Sequence, residues 1–118
     1  MNTELINVVS ATTTGVKNIL DIINQLINKR KQSILISKWD MHCLEIKIAE
    51  TFMQARQDAR HRLSLSAQDK LWKSYSRIVE RDPNSHFGMV ALELFRDEVR
   101  AYISYNNSFD RLTELGFH

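Results

Sequence analysis

The positions Leu5, Val9, Thr12, Val16, Ile19, Ile23 and Leu26 follow one another at alternating steps of four and three residues, with mostly polar residues between them. That spacing keeps one face of a 3.6-residue helix apolar, and it predicts a long amphipathic helix over residues 3–30. Ile6, Val8, Leu20, Ile22 and Ile27 widen the stripe, so the face must be buried against a second helix, in the same chain or in another copy. The weak stretch is Thr12, Thr13, Thr14 and Gly15, where three β-branched residues and a glycine lower helix propensity and a kink or a frayed start is expected. Lys29, Arg30 and Lys31 place positive charge on the last turn, where the helix dipole favours it.

A second helical period follows the connection 32–37. Ser37 with Asp40 three residues on reads as a capping box, and Met41, Leu44, Ile48, Phe52, Ala55, Ala59 and Leu63 carry the helix to about residue 63. Two helices of similar length joined by so short a link predict an antiparallel hairpin. Ser66 with Asp69 reads as another box, opening a third helix over 67–81 that buries Leu71, Trp72, Tyr75, Ile78 and Val79. Asp82 and Pro83 end it, because proline disfavours helical geometry in the residue before it. Asn84 or Ser85 then caps a fourth helix, to about residue 105, with Phe87, Val90, Ala91, Leu94, Phe95, Val99 and Tyr102 as one wide face. Asn106, Asn107 and Ser108 read as a break, and a last short helix over 109–115 stops at Gly116. The fold class is all-α, a long antiparallel helical hairpin with two or three shorter helices. One domain spans 1–118, with 1–63 as the hairpin and 64–118 as a helical cap.

Composition narrows the function classes. At 118 residues, with 43% hydrophobic and 25% charged residues, the chain is ordinary for a globular protein and long enough to bury roughly two-thirds of its unfolded surface. A formal net charge of +2 gives no bulk attraction to nucleic acid and excludes a strongly acidic mimic of DNA. Cys43 is the only cysteine, so no intrachain disulfide forms and a reducing cytoplasm is the expected location. No basic-then-apolar leader opens the chain, and polar residues interrupt every window of about 20 residues, so neither a signal peptide nor a membrane span is expected.

Candidate chemistry centres on Arg56, Gln57, Asp58, Ala59, Arg60 and His61. This run resembles the Arg, four spacers, His signature of the HEPN family, all-helical domains in which arginine and histidine cleave RNA without metal at a dimer interface. The resemblance implies His61 as general acid or base and Arg56 as the group stabilising charge on the phosphate. Read from the residues alone, Arg60, His61 and Arg62 are cations at a helix end that complement its dipole. A basic surface would need Lys29, Arg30 and Lys31 beside Arg56, Arg60 and Arg62, yet an antiparallel hairpin separates the two groups, so nucleic acid is not the favoured partner. His42 and Glu45 lie one turn apart and offer two metal ligands with no second pair elsewhere, so neither metal nor cofactor is expected. Cys43 alone reads as a small hydrophobe.

The run Ala11, Thr12, Thr13, Thr14, Gly15, Val16, Lys17, leading into Ile19, Leu20, Asp21 and Ile22, resembles the start of small phage- or prophage-encoded helical proteins. That resemblance implies an accessory protein that binds a host factor and blocks or redirects it. The functional expectation is a non-enzymatic protein-interaction module with a protein partner. It self-associates as a dimer through Leu5, Val9, Val16, Ile19, Ile23 and Leu26, because helix two covers helix one on one side only. Tyr105 and Phe117 sit among polar residues near chain breaks and are the expected exposed aromatic contacts.

Overall fold

A computed structural model describes residues 3–57 and 63–114, and the side chains within 15–57 and 63–105. The first helix, α1, spans Thr3–Lys31 and runs through Thr12–Gly15 without interruption. It stops in a Schellman motif. Ser33 takes the left-handed conformation at φ 60°, the Ile34 N–H donates to the Lys29 carbonyl at 2.7 Å, and the Ser33 N–H donates to the Arg30 carbonyl at 3.1 Å. Helix α2, Lys38–Gln57, opens with the expected box, in which the Asp40 N–H donates to Ser37 Oγ at 3.1 Å and the Ser37 N–H donates to Asp40 Oδ2 at 2.9 Å.

Three expected boundaries move. Helix two does not carry its apolar period to Leu63: Leu63 and Ser64 stand outside any helix, and Leu63 is buried from an irregular segment. Helix α3 covers Leu65–Glu80, and its N-cap is Ser64 rather than Ser66, because the Ser64 side chain accepts from the Ala67 N–H at 3.1 Å. Helix α4 runs unbroken over His86–Glu114, through Asn106, Asn107 and Ser108, so there is no separate last helix at 109–115. Three residues of modest helix propensity cost only a few tenths of a kcal/mol each, too little to stop a helix already formed. Of the two candidate caps, Ser85 holds the helix start, with its hydroxyl accepting from the Gly88 N–H at 2.9 Å.

The four helices close into a ring in which each packs on its two sequence-order neighbours and α1 packs on α4. Adjacent helices are all antiparallel. Gly15 lies against Thr51 while Lys29 meets Asp40; Glu45 meets Tyr75; Ser74 meets Glu98; and Lys17, Leu20 and Asp21 share a hollow with Arg100, Ile103 and Ser104. The architecture is an up-down-up-down bundle, so the expected hairpin is present, but α1 has α4 as well as α2 to cover its seam. Val16, Ile19, Ile23, Leu26 and Ile27 are accordingly buried within the chain, together with Leu44 and Ile48 of α2, Leu71, Tyr75 and Ile78 of α3, and Ala91, Leu92, Phe95 and Val99 of α4.

Three buried polar side chains find partners, whereas Arg30 keeps a buried Nε with no hydrogen-bond partner among the described residues. Thr51 Oγ1 donates to the Lys47 carbonyl at 2.8 Å, Gln68 Nε2 to the Leu63 carbonyl at 3.1 Å, and Ser74 Oγ to Glu98 Oε2 at 2.5 Å. Gly15, the supposed weak point of α1, is a packing device: a Cβ there would stand 3.3 Å from both Cγ2 and Oγ1 of Thr51, so the missing side chain is what lets α2 approach.

The two turns at one end of the bundle are bolted together. The Ile36 N–H donates to Asn84 Oδ1 at 2.7 Å and Asn84 Nδ2 donates to the Ile36 carbonyl at 3.0 Å. Lys29 Nζ reaches Asp40 at 2.9 Å across the first turn. That lysine, with the Ser37 bonds, holds the Asp40 carboxyl below its ordinary pKa against the opposing effect of burial. In the second turn Asp82 sits at φ 60°, and its carbonyl would lie 2.0 Å from any Cβ placed on Gly88.

Candidate functional site

Helices α2 and α3 each carry two apolar stripes, and only one of each faces the core. On α2 the outward stripe is Trp39, Ile46 and Met53; on α3 it is Leu65, Trp72 and Val79, in both cases at seven-residue spacing. Seven residues is close to two helical turns, so each set lines up along its helix axis. α2 and α3 are antiparallel neighbours, and Val79 of the α3 column lines the hollow between them with His42 and Glu45 of α2. All six side chains are exposed, from 39% at Ile46 to 78% at Leu65.

Local contacts hold the two tryptophans in place. The Trp39 and His42 rings lie 5.7 Å apart, and those of Trp72 and Tyr75 lie 5.4 Å apart at 32°. Tyr75 in turn donates its hydroxyl to Glu45 Oε2 at 3.1 Å. Burial first, then the Glu45 carboxylate, pushes the phenol up to about 12, so at neutral pH Tyr75 is a hydrogen-bond donor and no acid. At the turn end of this face Ile36, Met41, His42, Glu45, Tyr75 and Val79 line a hollow of about 690 Å³. Two charge pairs near the face form within their own helices, Lys47 with Glu50 and Lys73 with Asp69, each at 2.8 Å.

This surface differs from the one expected. Trp72 and Val79 of α3 and Phe87, Val90 and Leu94 of α4 belong to the exterior, not to the core. Val16, Ile19, Ile23 and Leu26 are interior rather than interface, because α4 closes over the side of α1 that α2 leaves open. Leu5 and Val9 belong to α1, but their side chains lie outside the described set, as does the whole of Phe117. Tyr105 is 69% exposed near the far end of the α3–α4 groove.

The cation groups stay apart. Lys29 is taken by Asp40 at the turn end, Arg30 is half-buried and Lys31 exposed beside it, and Arg56 is exposed on the last turn of α2. Asp58, Ala59, Arg60, His61 and Arg62 lie outside the described residues, so of the HEPN-like run only Arg56 and Gln57 are described, both exposed at the end of α2, and Arg56 makes no ion pair among the described residues. His42 and Glu45 share the α2–α3 hollow, but among the described residues no three His, Cys, Asp or Glu side chains gather as a metal site requires. Cys43 is a half-buried free thiol. Among the described residues no helix is long and apolar enough to cross a membrane.

What the sequence reading passed over are the two outward columns and a row of cations on α3, Lys70, Arg77 and Arg81. The signal for the columns was present as repeated seven-residue spacing, once both apolar stripes of a helix are counted instead of one. No protein-family model, curated protein or solved structure matches this chain.

Proposed function

We propose that the protein is a protein-interaction module that acts by contact rather than by chemistry, and that two copies pair across the α2–α3 face. The observation that carries this is the pair of exposed columns, Trp39, Ile46, Met53 and Leu65, Trp72, Val79. A monomer that stays in water rarely exposes a contiguous apolar patch beyond a few hundred Å². Trp39 is 67% and Trp72 42% exposed, and tryptophan is among the residue types enriched at protein interfaces and their hot spots.

A second copy fits the chemistry of the face. Lys47 and Lys73 beside it are already paired in cis, with Glu50 and Asp69, which lowers the like-charge repulsion between two identical faces. A two-fold axis sets each apolar column against a column of the other copy, which is the isologous contact of the commonest homodimers. A phage accessory protein that occludes a surface of a host factor would work by contact of this kind, needing no cofactor.

Sedimentation at tens of micromolar tests the pairing: the parent chain runs as a dimer, and Trp72→Glu runs as a monomer with an unchanged helical spectrum. A parent chain that is monomeric at that concentration removes this reading. The enzymatic alternative is tested by incubating the chain with mixed RNA in the absence of metal, beside His61→Ala. Cleavage by the parent alone would replace the contact reading with a ribonuclease built on Arg56 and His61.

A further inference from the structure

The groove between α3 and α4 has two unlike walls. On α4, Phe87, Leu94, Ala101 and Tyr105 recur at seven-, seven- and four-residue steps along the shoulder that faces α3, with Val90 beside them, and all are exposed. On α3 the facing shoulder carries Lys70 and Arg77, and Arg81 follows at its C-cap. Lys70, Arg77, Glu98, Ala101 and Tyr105 line one hollow of about 580 Å³, which shows that both walls border the same space.

The charges in this groove are unbalanced. Lys70, Arg77 and Arg81 make no ion pair among the described residues, whereas Lys73 is held by Asp69. The acid nearest the groove floor, Glu98, accepts from the buried Ser74 hydroxyl at 2.5 Å. Beyond the apolar wall, Asp97 pairs with its neighbour Arg96. A row of three cations thus runs along one side of an apolar stripe, and among the described residues none of the three is held in an ion pair, Glu98 at the floor of the hollow being engaged by Ser74.

We propose that this groove docks an amphipathic α-helix whose apolar stripe is flanked on one side by carboxylates. The proposal goes beyond the pairing of two copies, since it concerns another face and another partner. Residues 87–105 of α4 extend about 27 Å at the helical rise, so a docked helix of about 18 residues, five turns, would match the wall from Phe87 to Tyr105. The steps along α4 are those at which a facing helix presents its own apolar residues, and glutamate or aspartate on one flank meets Lys70, Arg77 and Arg81. The unpaired cations set the sign of the partner and the orientation in which it lies.

Two other polyanions fit less well. A single-stranded nucleic acid would need aromatic platforms for successive bases, but Phe87 and Tyr105 stand at opposite ends of the wall with aliphatic side chains between them. An anionic membrane favours cations on both flanks of an apolar stripe, and here the far flank carries the Arg96–Asp97 pair, with no net charge.

The test is fluorescence anisotropy with the full chain and a labelled 18-residue helical peptide bearing leucine at heptad positions and glutamate along one flank. The same peptide with lysine for glutamate, an oligothymidylate and phosphatidylserine vesicles serve as comparisons. Saturable binding of the glutamate peptide is expected, weakened at least tenfold by Arg77→Glu and, separately, by Leu94→Asp. Both replaced side chains are exposed, and unchanged thermal melts would show that the fold is intact. Trp72→Glu, on the other face, should leave peptide binding as in the parent, so loss of pairing and loss of docking are read apart. Equal binding of the lysine and glutamate peptides, absence of binding by either, or Arg77-dependent capture of the oligonucleotide or vesicles in place of the peptide would each overturn the proposal.

Discussion

The turn end of the bundle and its α2–α3 face use side chains in opposite ways. At the turn end polar groups are matched one to one: Asn84 answers both backbone groups of Ile36, Asp40 answers Ser37 and Lys29, and Ser85 answers Gly88. On the face, six large apolar side chains have water on one side. The first arrangement stabilises one conformation of one chain, since a buried backbone group left without its partner costs about 1–3 kcal/mol. The second contributes little to the fold and leaves binding energy to be released on contact. Substitutions at the turn end should therefore act on stability, and substitutions on the face on assembly.

The sharpest break in that contrast is Gly88→Ala. With the Asp82 carbonyl 2.0 Å from the new Cβ and Pro83 Cα at 2.8 Å, backbone rather than a flexible side chain has to move, and a loss of about 3 kcal/mol or more is expected in urea unfolding. A loss below about 1 kcal/mol would mean that the turn is not held as described. Asn84→Ala removes both bonds to Ile36 and should cost about 1–3 kcal/mol. The Ile36 amide, which donates to Asn84, should exchange with solvent faster in the variant than in the parent.

Asp40→Asn should cost about 1 kcal/mol at neutral pH, through the loss of the charged cap and of a Lys29 partner that is itself partly exposed. The sign with pH follows from the lowered carboxyl. Its folded pKa lies below 3.8, so the stabilisation is complete above about pH 4 and is lost as pH falls through the lowered value. Urea midpoints of parent and variant should differ at pH 7, and the difference should shrink as pH falls below about 4. Tyr75 works in the other direction. Raised from 10.0 to about 12, it contributes stability that is full below pH 10 and lost as pH rises toward 12, and Tyr75→Phe should flatten the alkaline limb of the stability curve.

Smaller effects sharpen the comparison from both sides. Ser33 adopts φ 60°, where glycine is at no disadvantage, so Ser33→Gly should raise stability by up to about 1 kcal/mol. Trp72→Glu should shift the unfolding free energy of the monomer by less than about 1 kcal/mol, while abolishing the proposed pairing of two copies. A large loss from Trp72→Glu in the monomer would place that ring in the fold rather than on a contact surface.

The parts of this structure that were legible in the sequence are those written locally. The seam Val16, Ile19, Ile23, Leu26 and the Ser37–Asp40 box lie within one helix or one turn, and each is found where its spacing places it. The ambiguous parts are those where two answers share one period. In α3, Leu71, Tyr75 and Ile78 form one stripe and Leu65, Trp72 and Val79 another; periodicity shows both and cannot say which faces inward. The same ambiguity put Phe87 and Leu94 in the core and left out Leu92, which is fully buried. Leu63 kept the period of α2 past the helix end because a buried turn residue satisfies the pattern as well as a helical one. The clasp between Asn84 and Ile36 joins residues 48 positions apart, and no local rule announces it.

The ring closure of α1 on α4 has a kinetic consequence. Every other adjacent pair is joined by a short connection, whereas the chain between the end of α1 and the start of α4 runs to about fifty residues, three doublings beyond a six-residue turn, and each doubling adds about 0.6 kcal/mol of closure entropy. The local hairpins α1–α2 and α3–α4 are thus the early contacts, and the meeting of the first and last helices is the late one. Val16, Ile19 and Ile23 on one side and Phe95 and Val99 on the other become the gate through which folding must pass, so the rate at which this chain folds is set less by any one helix than by how long its two ends take to find each other.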